Sequence, residues 1–219
     1  DDVVAHIRKM VEVEQTGTDV PTSASTSSTS LQQLRVEKVY VVNSAGADAK
    51  FAPFKRLPNR MLLWKGARES SMASIMSQGL HAPSPEAPSA PYVFGKGIYL
   101  QDTAAVAAEH CHITADGGTG LLLLCEAALG HSKEEIRPGT LWRAPHTFHS
   151  VLGRGKRSYD PAALVEMKLG VLDNGLKAVV GLPQTAHGNT ESCVPYNQYV
   201  MFDSSQLRPR YLVEVSRRA

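Results

Sequence analysis

Three short stretches of this chain hold residue types that could meet around a small molecule: LLWKGAR at 62–68, FGKGIYL at 94–100 and YNQYV at 196–200. Together they offer an amine at Lys65, a position without a side chain at Gly66, a phenol ring at Tyr99 and a neutral amide at Gln198. Each also has an ordinary use. A lysine at the loop-facing end of a strand is usually a solvated charge, GKG alone is a tight turn, and LLW alone is core. The run His110-Cys111-His112 invites a metal reading, but neighbouring residues on a helix diverge by about 100°, so three consecutive side chains do not converge on one ion. His146 and His149 read as loop residues, and no metal site is expected. The cysteines, Cys111, Cys125 and Cys193, are odd in number and lack CxxC spacing. They predict neither a disulfide framework nor a zinc site, and a reducing compartment is the default.

The elements that must position these groups follow from the apolar pattern. The 219 residues are 42% hydrophobic and 20% charged, which is ample for a packed core. The formal net charge of +2 is too small to argue for nucleic acid by itself. No apolar run approaches the roughly 18 residues that span a bilayer, and LLLLCEAAL at 121–129 is interrupted by Glu126. Val3, Val4, Ile7 and Val11 recur at helical spacing with acids in the first turn, so residues 1–15 read as a short helix. The Ser/Thr-rich stretch 16–31 cannot bury much and reads as a flexible linker. The remainder, 32–219, reads as one α+β domain. Strands are predicted at 36–42, 61–64, 120–129, 165–172, 177–181, 199–203 and 210–215. One helix is predicted over 70–78, with Met72, Ile75 and Met76 on one face and Gly79 as its stop. A second follows Asp102, its expected N-cap, through TAAVAAEHC. Long loops remain at 81–93, 112–119, 130–160 and 182–196, the first stiffened by Pro83, Pro85, Pro88 and Pro91 into a wall for a pocket. The chain opens on aspartate without a secretory signal, and the expectation is a piece of a longer protein whose targeting segment could lie upstream.

From about residue 36 onward the stretches PFKRLPNRMLLWKGAR, SQGLHAPSPEAP, FGKGIYLQDTAAVAAEHC, GLLLLCEAALG and YNQYVMFDSSQLRPRYLVEV resemble, in order, the catalytic domain of the poly(ADP-ribose) polymerases. These are ADP-ribosyltransferases of the diphtheria-toxin-like branch. Residues 1–14 weakly resemble the last helix of the regulatory helical region that precedes this domain in nuclear members. The resemblance implies the ADP-ribosyltransferase fold of split antiparallel sheets with short helices and long loops. It implies NAD as the ligand, held by the backbone of Gly66 and by an aromatic wall at Tyr99. It also implies a His–Tyr–Glu set in which the carboxylate stabilises charge growing on the ribose as nicotinamide leaves.

The sequence departs from that set. Lys65 stands at the histidine position and Gln198 at the glutamate position, with Tyr99 retained. His110 replaces a second aromatic wall, Ala107 replaces a serine that bonds the carboxamide, and His81 stands where the donor loop offers arginine. The expectation is a domain that has lost its transferase chemistry, binds no NAD, and is kept as a binding or structural subunit of a larger protein or ribonucleoprotein assembly. The alternative is an active mono-ADP-ribosyltransferase that uses NAD to modify protein or nucleic acid. Phosphate contacts are expected of GRGKR (Arg154, Lys156, Arg157) and of Arg208 and Arg210, with Arg217 and Arg218 nearby. An intracellular setting is expected, nuclear by resemblance or organellar if a targeting segment exists, with no membrane partner.

Overall fold

In chain order the strands are Leu34–Val41 (β1), Arg60–Gly66 (β2), Ile98–Leu100 (β3), Thr119–Ala128 (β4), Ser132–Glu135 (β5), Ser150–Gly153 (β6), Leu164–Met167 (β7), Leu176–Val179 (β8), Gln198–Met201 (β9) and Leu207–Arg217 (β10). The helices are Asp2–Val11 (α1), Ala47–Phe51 (α2), Glu69–Gln78 (α3) and Ala104–Ala108 (α4). The computed structural model describes residues 2–13, 31–84, 86, 88, 92–114, 118–167 and 175–218. Residues 16–30 of the linker expected at 16–31, the prolines at 85 and 91, and residues 168–172 of the strand expected over 165–172 lie outside the described residues.

The long apolar run of β4 makes it a central strand, because only a strand covered on both faces can leave Leu122 to Ala128 all buried. It pairs antiparallel with β2 (Trp64 opposite Leu124) and with β10 (Leu123 opposite Leu212). The six-stranded sheet runs β1-β10-β4-β2-β8-β7, and a second sheet of four runs β3-β9-β6-β5. The expected strand-rich α+β architecture is therefore present. Two pairs run parallel, β2 with β8 and β5 with β6, within otherwise antiparallel sheets. One face of the larger sheet is covered by α1, through Ile7, Met10 and Val11, and by the buried alanines of α4. The other packs Met61, Leu63 and Leu123 against Leu100, Tyr199 and Met201 of the second sheet and Met72 of α3.

Several local expectations are corrected. The stretch 130–160 is not one loop, since it contains β5 and β6. Residues 153–157 are likewise no free basic loop: Lys156 and Arg157 donate their backbone N–H groups to Val194 and Pro195, and Arg157 bridges Tyr196. Met76, placed on the apolar face of α3, is 41% exposed. Asp102 does not cap α4, whose N-cap position is Thr103, because its carboxylate turns inward to Asn197. Arg208 and Arg210 serve the fold rather than offering open phosphate contacts. Both reach the fully buried Glu126 (Arg208 Nε 3.1 Å, Arg210 Nη1 3.0 Å), where Arg60 also donates at 2.7 Å. Arg208 additionally pairs with Asp48 at 2.6 Å. A carboxylate inside a sheet needs such partners, since an unpaired buried charge is prohibitive.

Candidate functional site

Strand β2 leaves the large sheet beside the start of the second one, and a two-bond bridge fixes the join. Trp64 N–H donates to Gln101 O at 2.7 Å, and Gln101 N–H returns to Trp64 O at 2.8 Å. Because side chains alternate along β2, the buried Trp64 turns into the core while Lys65 emerges half-buried at the junction. Strand β9 pairs with β3 (Tyr99 opposite Val200) and with β6 (Gln198 opposite Gly153), which carries Gln198 to the same corner. Gly97 permits this closeness: a Cβ there would lie 2.5 Å from Val200 Cγ1.

A cleft of about 830 Å³ opens at this corner between the two sheets and α3. Lys65, Gly66, Tyr99, His110, His81 and Gln198, far apart in sequence, all line it. The proline-stiffened segment contributes Pro83 and Tyr92 as wall, as expected of it. Ala107 does not belong to the lining. It is fully buried behind Gly66, so the carboxamide-facing position expected of it is corrected to a packing one. The glycine at 66 has a structural reason of its own, since a Cβ there would sit 1.8 Å from the Ala107 carbonyl oxygen.

The electrostatics of the cleft follow from burial. Desolvation lowers the Lys65 pKa below its usual 10.5, opposed only by the nearby Cys125 thiol. That thiol is itself pushed up to about 12 by burial. The His110 pKa is also lowered, first by desolvation and then by the charges of Lys65 and His112. Tyr99 is a wall rather than an acid. Its hydroxyl donates to Gly95 O at 2.7 Å and accepts from Phe94 N–H at 2.9 Å, and burial raises its pKa to about 12. The Tyr92 ring stands 6.0 Å from it, tilted by 37°. Three lining residues carry buried polar atoms without a partner among the described residues: Gln198 Oε1, Gln101 Oε1 and Trp64 Nε1. Protein interiors rarely leave such groups unsatisfied, and a binding site is a recognised reason.

Sequence reasoning missed the polar face of α3 (Ser71, Ser74, Gln78) and the lip residue Arg68, which carry no signature beyond helical spacing. It also missed the support beneath the site. Asn197 donates to Asp102 Oδ2 at 2.9 Å and to Ser158 Oγ at 2.8 Å, and accepts from Gly155 N–H at 2.9 Å. This tie locks the residue before Gln198 to the residue after Gln101. Burial raises the Asp102 pKa to about 6, held back by the Asn197 bond. The stretch YNQYV contained the polar pair that could have flagged it. Among the described residues no group of three His, Cys, Asp or Glu is placed to hold a metal ion.

A family model described as the poly(ADP-ribose) polymerase catalytic domain matches residues 14–217. The chain is 37% identical over 182 residues to poly [ADP-ribose] polymerase 1 of Danio rerio, covering 83% of this chain and 17% of that protein. It is similarly 37% identical over 187 residues to poly [ADP-ribose] polymerase 1 of Gallus gallus. The Oryza sativa subsp. japonica protein of the same name is 32% identical over 208 residues, 94% of this chain and 20% of that protein. The chain thus spans about a sixth to a fifth of the length of these curated relatives.

Proposed function

The chain belongs to the poly(ADP-ribose) polymerase catalytic-domain family, and from that premise we propose that its cleft is a transferase pocket whose ADP-ribosyl-transfer chemistry has been lost, leaving a binding or structural domain. One observation carries the reading: the cleft holds Lys65 and, among the described residues, no carboxylate. Transfer from NAD needs negative charge beside the ribose as nicotinamide departs. Lys65 and Gln198, at the positions where the family resemblance puts histidine and glutamate, reverse that sign when the amine is protonated and abolish it when it is not. At ~5 Å and an effective dielectric of ~20, each unit charge is worth roughly 3 kcal/mol against a developing cation. Replacing −1 by +1 therefore opposes reaction by about 6 kcal/mol, roughly four decades in rate. The nicotinamide ring of NAD is cationic in the ground state as well, so the residues present do not fit it. The cleft and its Tyr99 wall persist without charges that fit transfer, and on this reading the domain is retained as a subunit with a protein or ribonucleoprotein partner in an intracellular assembly. Of the basic residues expected at phosphate, Arg154, Lys156, Arg157, Arg217 and Arg218 stay candidates, since only Arg208 and Arg210 are committed to Glu126.

A second reading, an active mono-ADP-ribosyltransferase, is favoured by the lowered Lys65 pKa, since a neutral amine would spare the ring the like charge. Calorimetric titration with NAD separates the two readings. Absence of saturable binding is the expected result, and clear micromolar binding would overturn the first reading.

A further inference from the structure

Charge around the cleft is one-sided. Its lining holds the cations Lys65 and Arg68, and no aspartate or glutamate among the described residues. Arg68 and His81 sit exposed at the rim, where water screens them. Lys65 lies deeper, with no ion pair or hydrogen bond among the described residues. The groups that face it are the Cys125 thiol from β4 and the His110 ring after α4, with His112 beyond. None supplies a negative charge at neutral pH. Two buried polar atoms of the lining have no partner among the described residues: Gln101 Oε1, on a residue 4% exposed, and Gln198 Oε1. The rest of the lining is flat or apolar, with Tyr99 and Tyr92 on one side and Ile75, Leu80 and Ile98 beside them.

We propose that this cleft binds a small planar aromatic carboxylate, its carboxylate on Lys65 and its ring along Tyr99. The inference rests on the reading above, that a family pocket has changed its ligand, and it names the class of the new one. A buried amine without a counter-charge is completed by an anion, and a charge-assisted N–H···O bond in a sheltered site is among the stronger single contacts a pocket offers. The orphaned Gln101 and Gln198 oxygens are acceptors, so a hydroxyl or amino substituent on the ring finds a partner there while Lys65 takes the carboxylate. A bare phosphate would meet Lys65 but leave the tyrosine wall and the aliphatic lining uncovered. A cationic ring would meet the amine with like charge.

Benzoate and benzamide share shape and differ in charge, so titrating the full chain with each, and with inorganic phosphate, isolates the term. At pH 7 benzoate should bind saturably and about tenfold or more tighter than benzamide, with phosphate weaker than both. Raising the pH until Lys65 deprotonates should abolish the preference. Lys65→Met, melting like the parent, should lose it too. Should Lys65→Met not fold, Gln198→Glu places a carboxylate at the amine and should weaken benzoate about tenfold or more. Benzamide binding as tightly as benzoate, phosphate matching benzoate, no benzoate saturation by about 10 mM, or a preference surviving Lys65→Met would each overturn the proposal. NAD turnover by the parent would overturn the proposed function instead. Failure of benzoate without NAD turnover sinks this inference alone.

Discussion

Replacing Gly66 by alanine asks whether that glycine is demanded by the fold or by a ligand. The added Cβ would lie 1.8 Å from the Ala107 carbonyl oxygen, 2.7 Å from its carbon and 3.2 Å from Cys111 Sγ. Real Cβ contacts essentially never fall below 3.0 Å, so more than 1 Å of movement between β2 and α4 is required. Neither side can yield cheaply. β2 is bonded to β4 along its length, and α4 presents Ala104, Ala107 and Ala108, each no more than 1% exposed, to the core. The obstructing atom is backbone, so no rotamer change relieves it. Overpacking of this kind costs about 1–3 kcal/mol, and a backbone clash belongs at the upper end. At about 3 kcal/mol, a domain of this size should lose roughly 6–12 °C in Tm. Gly139→Ala is the control, because a Cβ there meets nothing within 4 Å, and it should change stability by less than about 0.5 kcal/mol. Differential scanning calorimetry of the three proteins decides. A Gly66→Ala variant melting within about 2 °C of the parent would refute the packing argument and return the glycine to a purely ligand-facing role.

Glu126→Gln should destabilise the domain by about 3–5 kcal/mol in urea denaturation, because it leaves three guanidinium groups around a site that no longer carries charge. Asp102 makes stability depend on pH with a defined sign. Its pKa rises from 3.8 to about 6 on folding, so the folded state binds more protons between those values. Its contribution is therefore full below about pH 4 and is lost as pH rises through about 6, by on the order of 3 kcal/mol. Asp102→Asn should flatten that part of the stability-versus-pH curve, and an unchanged slope would show that Asp102 is not its source.

How much of this was legible in the sequence depends on the range of the interaction. The core strand β4 announces itself because seven consecutive buried positions leave a run that is apolar at all but Glu126, which local composition records. Strands β5 and β6 do not: SKEE is polar and short, and it is a strand only because Ser132 to Glu135 align parallel with Ser150 to Gly153. Asp102 before an alanine-rich run carries the local mark of an N-cap. Its partner Asn197 lies 95 residues away, and nothing in the neighbourhood of either residue declares the bond. Arg208 and Arg210 read as phosphate contacts for the same reason, their partner Glu126 being more than 80 residues distant. The lining of the cleft was legible through family resemblance rather than pattern. That route placed six of seven positions on one surface and failed at Ala107, where the question was which way a helix turns a methyl group.

Loss of transfer chemistry through charge on an intact scaffold is best probed by nicotinamide release from NAD. The assay compares the parent, Lys65→His, Gln198→Glu and the double variant. Lys65→His alone leaves no carboxylate, and Gln198→Glu alone offers its carboxylate to Lys65 as an ion pair, so neither single change restores the needed field. Groups acting as a unit recover together, and the double should exceed the sum of the singles. Background release is expected from the parent and from each single variant, with release rising only in the double. Sustained turnover by the unmodified chain would contradict it.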